Sequence, residues 1–260
     1  MKIYPSLTED LTEWVQRQPV FFTGTAPTHA AHINVSPKGL ADSHFAILGP
    51  NKCAYIDRTG SGCETISHAY ENGRICLMFM SFGQAARILR LHCRASVVEW
   101  DQKEFPALVR QVSNGKQDAF AGARAVIVCD IWQVVTSCGY GVPRVKKSLY
   151  APGDEAEDEP VPAAGDELSV FETRPTLNDW IVKQANANKV IPYQIEKNSS
   201  SIDGLPGLKS ARRASGQSLW LENLRAKMRN VAAEKEALAA GFFLAILFYA
   251  GLSGIGMMGI

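Results

Sequence analysis

A chain of 260 residues is long enough for one sizeable domain with an appendage. Its 27 basic and 26 acidic residues leave a formal net charge of +1, too even a balance for a dedicated nucleic-acid binder. A hydrophobic content of 46% against 20% charged residues excludes a mostly disordered chain. None of the six cysteines stands in a C-x-x-C pair, so the spacing predicts reduced thiols and assigns no metal.

The first segment, MKIYPSLTEDLTEWVQ, has no apolar signal-peptide core. Its Ser6 and Glu9 form an S-x-x-E capping box ahead of Leu11, Trp14 and Val15, which predicts a helix. Six apolar, β-branched or alternating segments follow, at 19–26, 29–37, 51–57, 74–80, 86–100 and 124–135. Six strands of this kind suit a mainly β (α+β) class with a small closed barrel. A helix is predicted over 63–72, stopping at Gly73, and another over 102–112, where Pro106 interrupts the pattern.

Beyond the barrel, residues 151–167 hold seven acids, no base and three prolines, the composition of a disordered acidic loop. Residues 197–217 are rich in Ser and Gly and read as an extended linker, which ends the main domain at 196. Leu221, Leu224, Met228 and Val231 then lie three, four and three apart, with Arg225, Lys227, Arg229 and Lys235 beside them. This pattern predicts an amphipathic basic helix over 218–236. From Ala237 to Ile260 no residue is charged, a run of 24. As a helix it would reach about 36 Å, against about 30 Å of hydrocarbon. The run predicts a transmembrane tail-anchor helix over 237–260, with the main domain on the cytosolic side. A buried core helix is the competing reading.

Three places carry candidate chemistry. At 57–74 a strand ends in Asp57 and Arg58, and a Gly-Ser-Gly turn opens a helix. Free backbone N–H groups there favour an anion, with Ser61 and Thr65 adding hydroxyls; a purely structural connection explains the turn as well. At 32–39, HINVSPKG puts Ser36 and Lys38 at the end of a strand, where a solvated lysine is the bland alternative. At 87–94, Arg87, Arg90 and Arg94 sit among apolar residues and require anions or solvent. His29 and His32 could line a pocket beside Lys38, but no residue is assigned as a catalytic acid or base.

The order of these motifs resembles the FMN-binding split-barrel family of pyridoxamine phosphate oxidases over residues 19–98. The carriers are PVFFTGTA, a second strand ending in Lys38-Gly39, AYIDRTGSG, the helix into ENGRICLMF, and RILRLHCR. Further motifs, SCGYGVP and SIDGLPGL, look like an oxidase-related branch and extend the similarity to about Leu208. The resemblance implies a six-stranded split β-barrel with flanking helices, a homodimer with FMN at each subunit interface, and a small-molecule substrate. Carried over by position, Lys38, Ser61 and Arg90 look like phosphate ligands. Arg58 and Thr65 belong to the same loop, and Ser36 and Gly62 approach the flavin. The family's arginine strand has Gln and Gly where this chain has Ile88 and Cys93, and its C-terminal Trp…Arg-Leu-x-Pro segment has no counterpart. The expected activity is therefore an FMN-dependent oxidation or reduction other than that of pyridoxamine phosphate. A deazaflavin such as F420, or no cofactor, is the alternative occupant, and a non-catalytic flavin- or nucleotide-binding module the alternative function.

Overall fold

The computed structural model describes residues 1–39, 44–83, 85–115, 122–142, 176–201, 203–235, 238–246 and 248. The predicted acidic loop lies outside them. The chain divides into two compact units, Met1–Gly216 and Gln217–Ile260.

In the first unit the strands are β1 (Lys2–Tyr4), β2 (Val20–Thr25), β3 (Asn34–Gly39), β4 (Phe45–Gly49), β5 (Lys52–Arg58), β6 (Arg74–Met80), β7 (Arg87–Glu99) and β8 (Ala123–Cys138). Its helices are α1 (Glu9–Gln16), α2 (Glu64–Glu71), α3 (Phe105–Val112), α4 (Thr176–Asn186), α5 (Val190–Asn198) and α6 (Lys209–Ala214). The antiparallel sheet runs β3-β2-β6-β7-β8-β5-β4, and β1 pairs with the far end of β8.

Period-two patterning places one face of this sheet inside. Phe21 pairs with Phe79, and Phe79 with Leu89, so all three point inward. The sheet is curled, because side chains from its opposite ends meet. Phe21 on β2 lies 5.2 Å from Phe45 on β4 and 5.6 Å from Tyr55 on β5, ring centre to ring centre, and Phe45 lies 5.3 Å from Phe79 on β6. Those contacts close a half-barrel over a core that includes Leu77, Leu89, Leu91 and Ile127. On the outer face of β5 and β8, Ala54, Ile56 and Val126 pack under Phe105, Val109 and Val112 of α3.

The architecture matches the mainly β expectation, and the described residues form eight strands where six were expected. FAILG at 45–49 forms β4, which hairpins onto β5 across Pro50 and Asn51. The short β1 was hidden in a segment read only for its helix. That helix begins later than the S-x-x-E pattern predicts. Thr8, extended at φ −83° and ψ 167°, caps it by accepting a hydrogen bond from Leu11 N at 3.3 Å. Glu9 and Asp10 then fall in the first turn, facing the positive end of the helix. Pro106 stands in the first turn of α3, where no N–H is required of it. Gly73 follows α2 at φ +69°, the left-handed conformation that ends a helix.

The expected linker is also corrected. Ser200 bridges to Pro206, and Leu208 N donates to Asn198 O at 2.9 Å, so the chain on either side of this segment is drawn together. Leu205, Leu208 and Ala211 are buried, so the segment completes the first unit instead of leaving it. Apolar residues at three-residue spacing, Leu205, Leu208 and Ala211, within the Ser/Gly-rich stretch provide the reason.

In the second unit, α7 spans Leu219–Ala233, and 238–246 is helical. The expected transmembrane tail anchor over 237–260 is not supported. Among the described residues no helix is long and apolar enough to cross a membrane.

Candidate functional site

The open end of the barrel, where β3 runs beside the end of β5 and its first residue meets the start of α2, holds a cavity of about 310 Å³. β3, the end of β5 with its turn, the first turn of α2 and Arg124 of β8 build it. Along β3, burial alternates so that Asn34, Ser36 and Lys38 turn inward and are half-buried, while Val35 and Pro37 are exposed. The end of β5 contributes Asp57 and Arg58, and the turn that follows contributes Gly60, Ser61 and Gly62. Glu64 and Thr65 line it from the first turn of α2. Six of the seven residues singled out from sequence thus surround one space: Ser36, Lys38, Arg58, Ser61, Gly62 and Thr65.

Arg90 does not join them. In the β6–β7 ladder it pairs with Met78, and its neighbour Leu89 pairs with the inward Phe79. Arg90 therefore projects from the outer face, where its Nη1 lies 3.4 Å from Ser137 Oγ. The need of an arginine in an apolar strand for an anion falls more strongly on Arg124.

Arg124 is the second residue of β8 and is 6% exposed. In the β5–β8 ladder Asp57 faces Ala125 and Arg58 faces Ala123, so Arg124 is the extra residue of a bulge. A bulge re-aims the side chain it carries. Arg124 Nε donates to Asp57 Oδ2 at 2.7 Å, and Lys38 Nζ stands 3.5 Å from Asp57 Oδ1. Burial alone would push the Asp57 carboxyl up. The guanidinium and the ammonium, by charge and hydrogen bonding, outweigh burial and hold it below its ordinary value. Asp57 is therefore a fixed anion that pins two cations at the cavity wall.

Three cationic side chains, Lys38, Arg58 and Arg124, stand against the carboxylates of Asp57 and Glu64, so the cavity keeps one net positive charge. Arg124 Nη1 is buried and has no hydrogen-bond partner among the described residues. A buried donor left unpaired costs about 1–3 kcal/mol, more when charged, and an anion in the cavity would relieve that cost. Glu64 folds back over the turn: a Cβ built on Gly62 would lie 2.2 Å from its Oε2. That carboxylate is the flexible end of its side chain and can move off the turn.

The remaining polar groups are held in place by their neighbours. Asn34 Nδ2 donates to Thr65 Oγ1 at 2.9 Å and to Thr25 Oγ1 at 3.0 Å, tying β3 to the start of α2. His68 Nδ1 lies 2.9 Å from Thr25 Oγ1, and burial pulls this imidazole below its ordinary pKa. The glycine turn is braced from the C-terminal part of the unit. Gln194 Nε2 donates to Thr59 Oγ1 at 2.9 Å, and Asn198 Nδ2 donates to the Gly60 carbonyl at 2.9 Å. Gly207 allows this close approach, since a Cβ there would fall 2.3 Å from Asn198 O and 2.8 Å from Cys63 Sγ. Sequence reading missed Asp57, Arg124, Asn34, Gln194 and Asn198. Only Arg124 carried a signal, as a charge opening the run AVIVC.

A curled antiparallel half-barrel with an electropositive, glycine-lined cavity at its open end is the class of structure these residues define. No family model matches the chain. Over 217 residues it is 45% identical to the pyridoxamine 5'-phosphate oxidase family protein ustO of Aspergillus flavus, covering 84% of this chain and 82% of that protein. The chain belongs to the pyridoxamine 5'-phosphate oxidase family. Similar solved structures include a putative pyridoxamine 5'-phosphate oxidase from Listeria innocua, at a TM-score of 0.37 and 12% identity, over 49% of this chain and 95% of that one. A FAD-binding protein from Mesorhizobium loti has a TM-score of 0.37 and 14% identity, over 52% and 97% of the two chains. An FMN-binding protein from Syntrophomonas wolfei subsp. wolfei has a TM-score of 0.36 and 10% identity, over 49% and 86%.

Proposed function

We propose that the protein is a flavin-dependent oxidoreductase that binds FMN through its phosphate at the barrel mouth and acts on a small molecule. The observation that carries this reading is the unpaired Nη1 of buried Arg124 at the wall of a cavity with net positive charge. Family membership supports it. Lys38, Arg58 and Arg124 would hold the phosphate charge, and Ser61, Thr65 and the backbone of the 60–62 turn would donate hydrogen bonds to it. When bound, the flavin supplies the hydride or electron transfer. The residues of this chain bind and orient it: Asp57 fixes the two cations, Asn34 sets Thr65, and Asn198 steadies the turn. A homodimer accords with the exposed apolar side chains on the outer sheet face, among them Val35 at 66% and Trp132 at 61% exposure.

The full-length protein should show a flavin absorption spectrum as purified, or after mixing with FMN, and anaerobic NADPH should bleach it. Lys38→Met should weaken FMN binding by roughly tenfold or more, as expected for a lost hydrogen bond to a charged group. Failure to take up any flavin overturns the proposal. A flavin that binds but is never reduced would make the protein a binding module.

A further inference from the structure

The barrel core contains a second chemical group that the flavin reading does not use. Cys53 on β5 pairs directly with Cys129 on β8. On the other side of β8, Cys129 faces Ala95 and Ile131 faces Cys93, so Cys93 on β7 is the diagonal neighbour of Cys129. Three neighbouring strands of the sheet, β7, β8 and β5, thus bring three thiols together on the inner face. The Sγ atoms all lie within 4.8 Å of one another, and the residues are 0%, 2% and 0% exposed for Cys53, Cys93 and Cys129.

That spacing matches a ligand set. Three sulfurs bound at about 2.3 Å to one ion stand roughly 4.0 Å apart when trigonal and roughly 3.8 Å apart when tetrahedral. Each pair of thiols is therefore within a small side-chain adjustment of coordination. No histidine, aspartate or glutamate joins the group among the described residues. Zinc, which takes four ligands in closed sites, is poorly served by three sulfurs in a core without a fourth donor. A soft ion that accepts three sulfur ligands is well served, and among biological metals that description fits Cu(I).

We propose that Cys53, Cys93 and Cys129 form a trigonal all-sulfur site for a single Cu(I) ion inside the barrel. Binding forms three Cu–S bonds, and one S–H bond breaks with its proton going to solvent; one thiolate and two thiols around Cu(I) make a neutral centre, as an apolar core requires, and copper and sulfur keep their oxidation states. Because the sulfurs are sealed in the core, the ion enters as the chain folds. The site is also separate from the cavity at the barrel mouth, so occupancy by copper and by flavin are independent.

The test uses full-length protein purified without oxygen from copper-supplemented cells. The expected result is one copper per chain, with X-ray absorption showing three sulfur neighbours at about 2.3 Å and no nitrogen or oxygen in the first shell. Cys129→Ser and Cys53→Ser should each abolish retention, while Cys138→Ser, at an exposed position, should keep it. Flavin content should be the same in copper-loaded and copper-free protein. Folded wild-type protein that retains no copper overturns the proposal, as does copper with two or fewer sulfur neighbours, or retention in folded Cys129→Ser. If the core variants do not fold, the sulfur count in the wild-type protein decides alone.

Discussion

Asp57→Asn probes the charge arrangement at the barrel mouth most directly. The aspartate is 3% exposed and accepts from Arg124 Nε at 2.7 Å; Arg124 is itself 6% exposed. Replacing the carboxylate by a neutral amide leaves the guanidinium charged and buried without its counterion. Breaking a buried pair in this way costs about 3–5 kcal/mol. The Lys38 contact at 3.5 Å adds little, because that side chain is 24% exposed and solvent screens it. With a urea slope of roughly 3 kcal/mol per molar, the unfolding midpoint should fall by about 1–2 M. Trp14, Trp100, Trp132 and Trp180 report the transition by fluorescence. The second variant, Asp57→Asn with Arg124→Met, removes the stranded charge and should recover most of the loss. Meanwhile Asp57→Asn should bind inorganic phosphate more tightly than the wild type, since Lys38 and Arg124 are no longer neutralised. A single variant within about 1 kcal/mol of the wild type, or a double variant whose losses simply add, would refute the reasoning.

Three further outcomes follow from the same geometry. Asn198→Ala removes the donor to the Gly60 carbonyl inside a buried setting and should cost about 1–3 kcal/mol, with FMN affinity falling in parallel in a titration at fixed salt. Gly207→Ala forces a methyl group to within 2.3 Å of Asn198 O and 2.8 Å of Cys63 Sγ; overpacking of this kind should cost about 1–3 kcal/mol in thermal unfolding. Stability should fall on acidification in two stages. The buried His68 has a depressed pKa, so its contribution is full above the unfolded value of about 6.5 and is lost as pH drops through its lower folded value. Asp57 is also depressed, so its contribution is full above about 3.9 and is lost as pH drops further. His68→Asn should flatten the stability profile between pH 7 and the second stage, as followed by urea titrations at each pH.

Local patterning carried much of the fold. The alternating runs at 19–26 and 74–80 became β2 and β6 because each has an apolar face with nowhere to go but a shared core. The glycine turn before α2 and Gly73 after it were readable because backbone conformation there depends on a single residue type. What stayed illegible depended on partners far away in the chain. Nothing near FAILG announces that Phe45 will meet Phe21 and Phe79 across a closed sheet. Within 197–216 the Ser/Gly composition suggested a linker, but burial of Leu208 depends on a surface made by residues more than a hundred positions earlier. The uncharged C-terminal run satisfied a length rule, yet among the described residues no helix is long and apolar enough to cross a membrane.

At the site, residues that follow one another along β3 and the 58–65 turn could be chosen from the sequence, since strand alternation and a helix start place them on a common side. Arg90 and Arg124 show the boundary of such reasoning. Both are arginines in apolar strands, and sequence alone offers no means of ranking them. The pairing register sends one outward and a bulge in β8 turns the other onto Asp57. The cysteines teach the same lesson, because spacings of 40 and 36 residues say nothing until three strands lie side by side. Sequence by itself determined which short segments could be strands, turns and anion-binding loops, because those depend on neighbours within a few residues. Tertiary structure alone decided which charges are buried together, which thiols meet and which face each side chain takes, because register and closure are properties of the whole sheet.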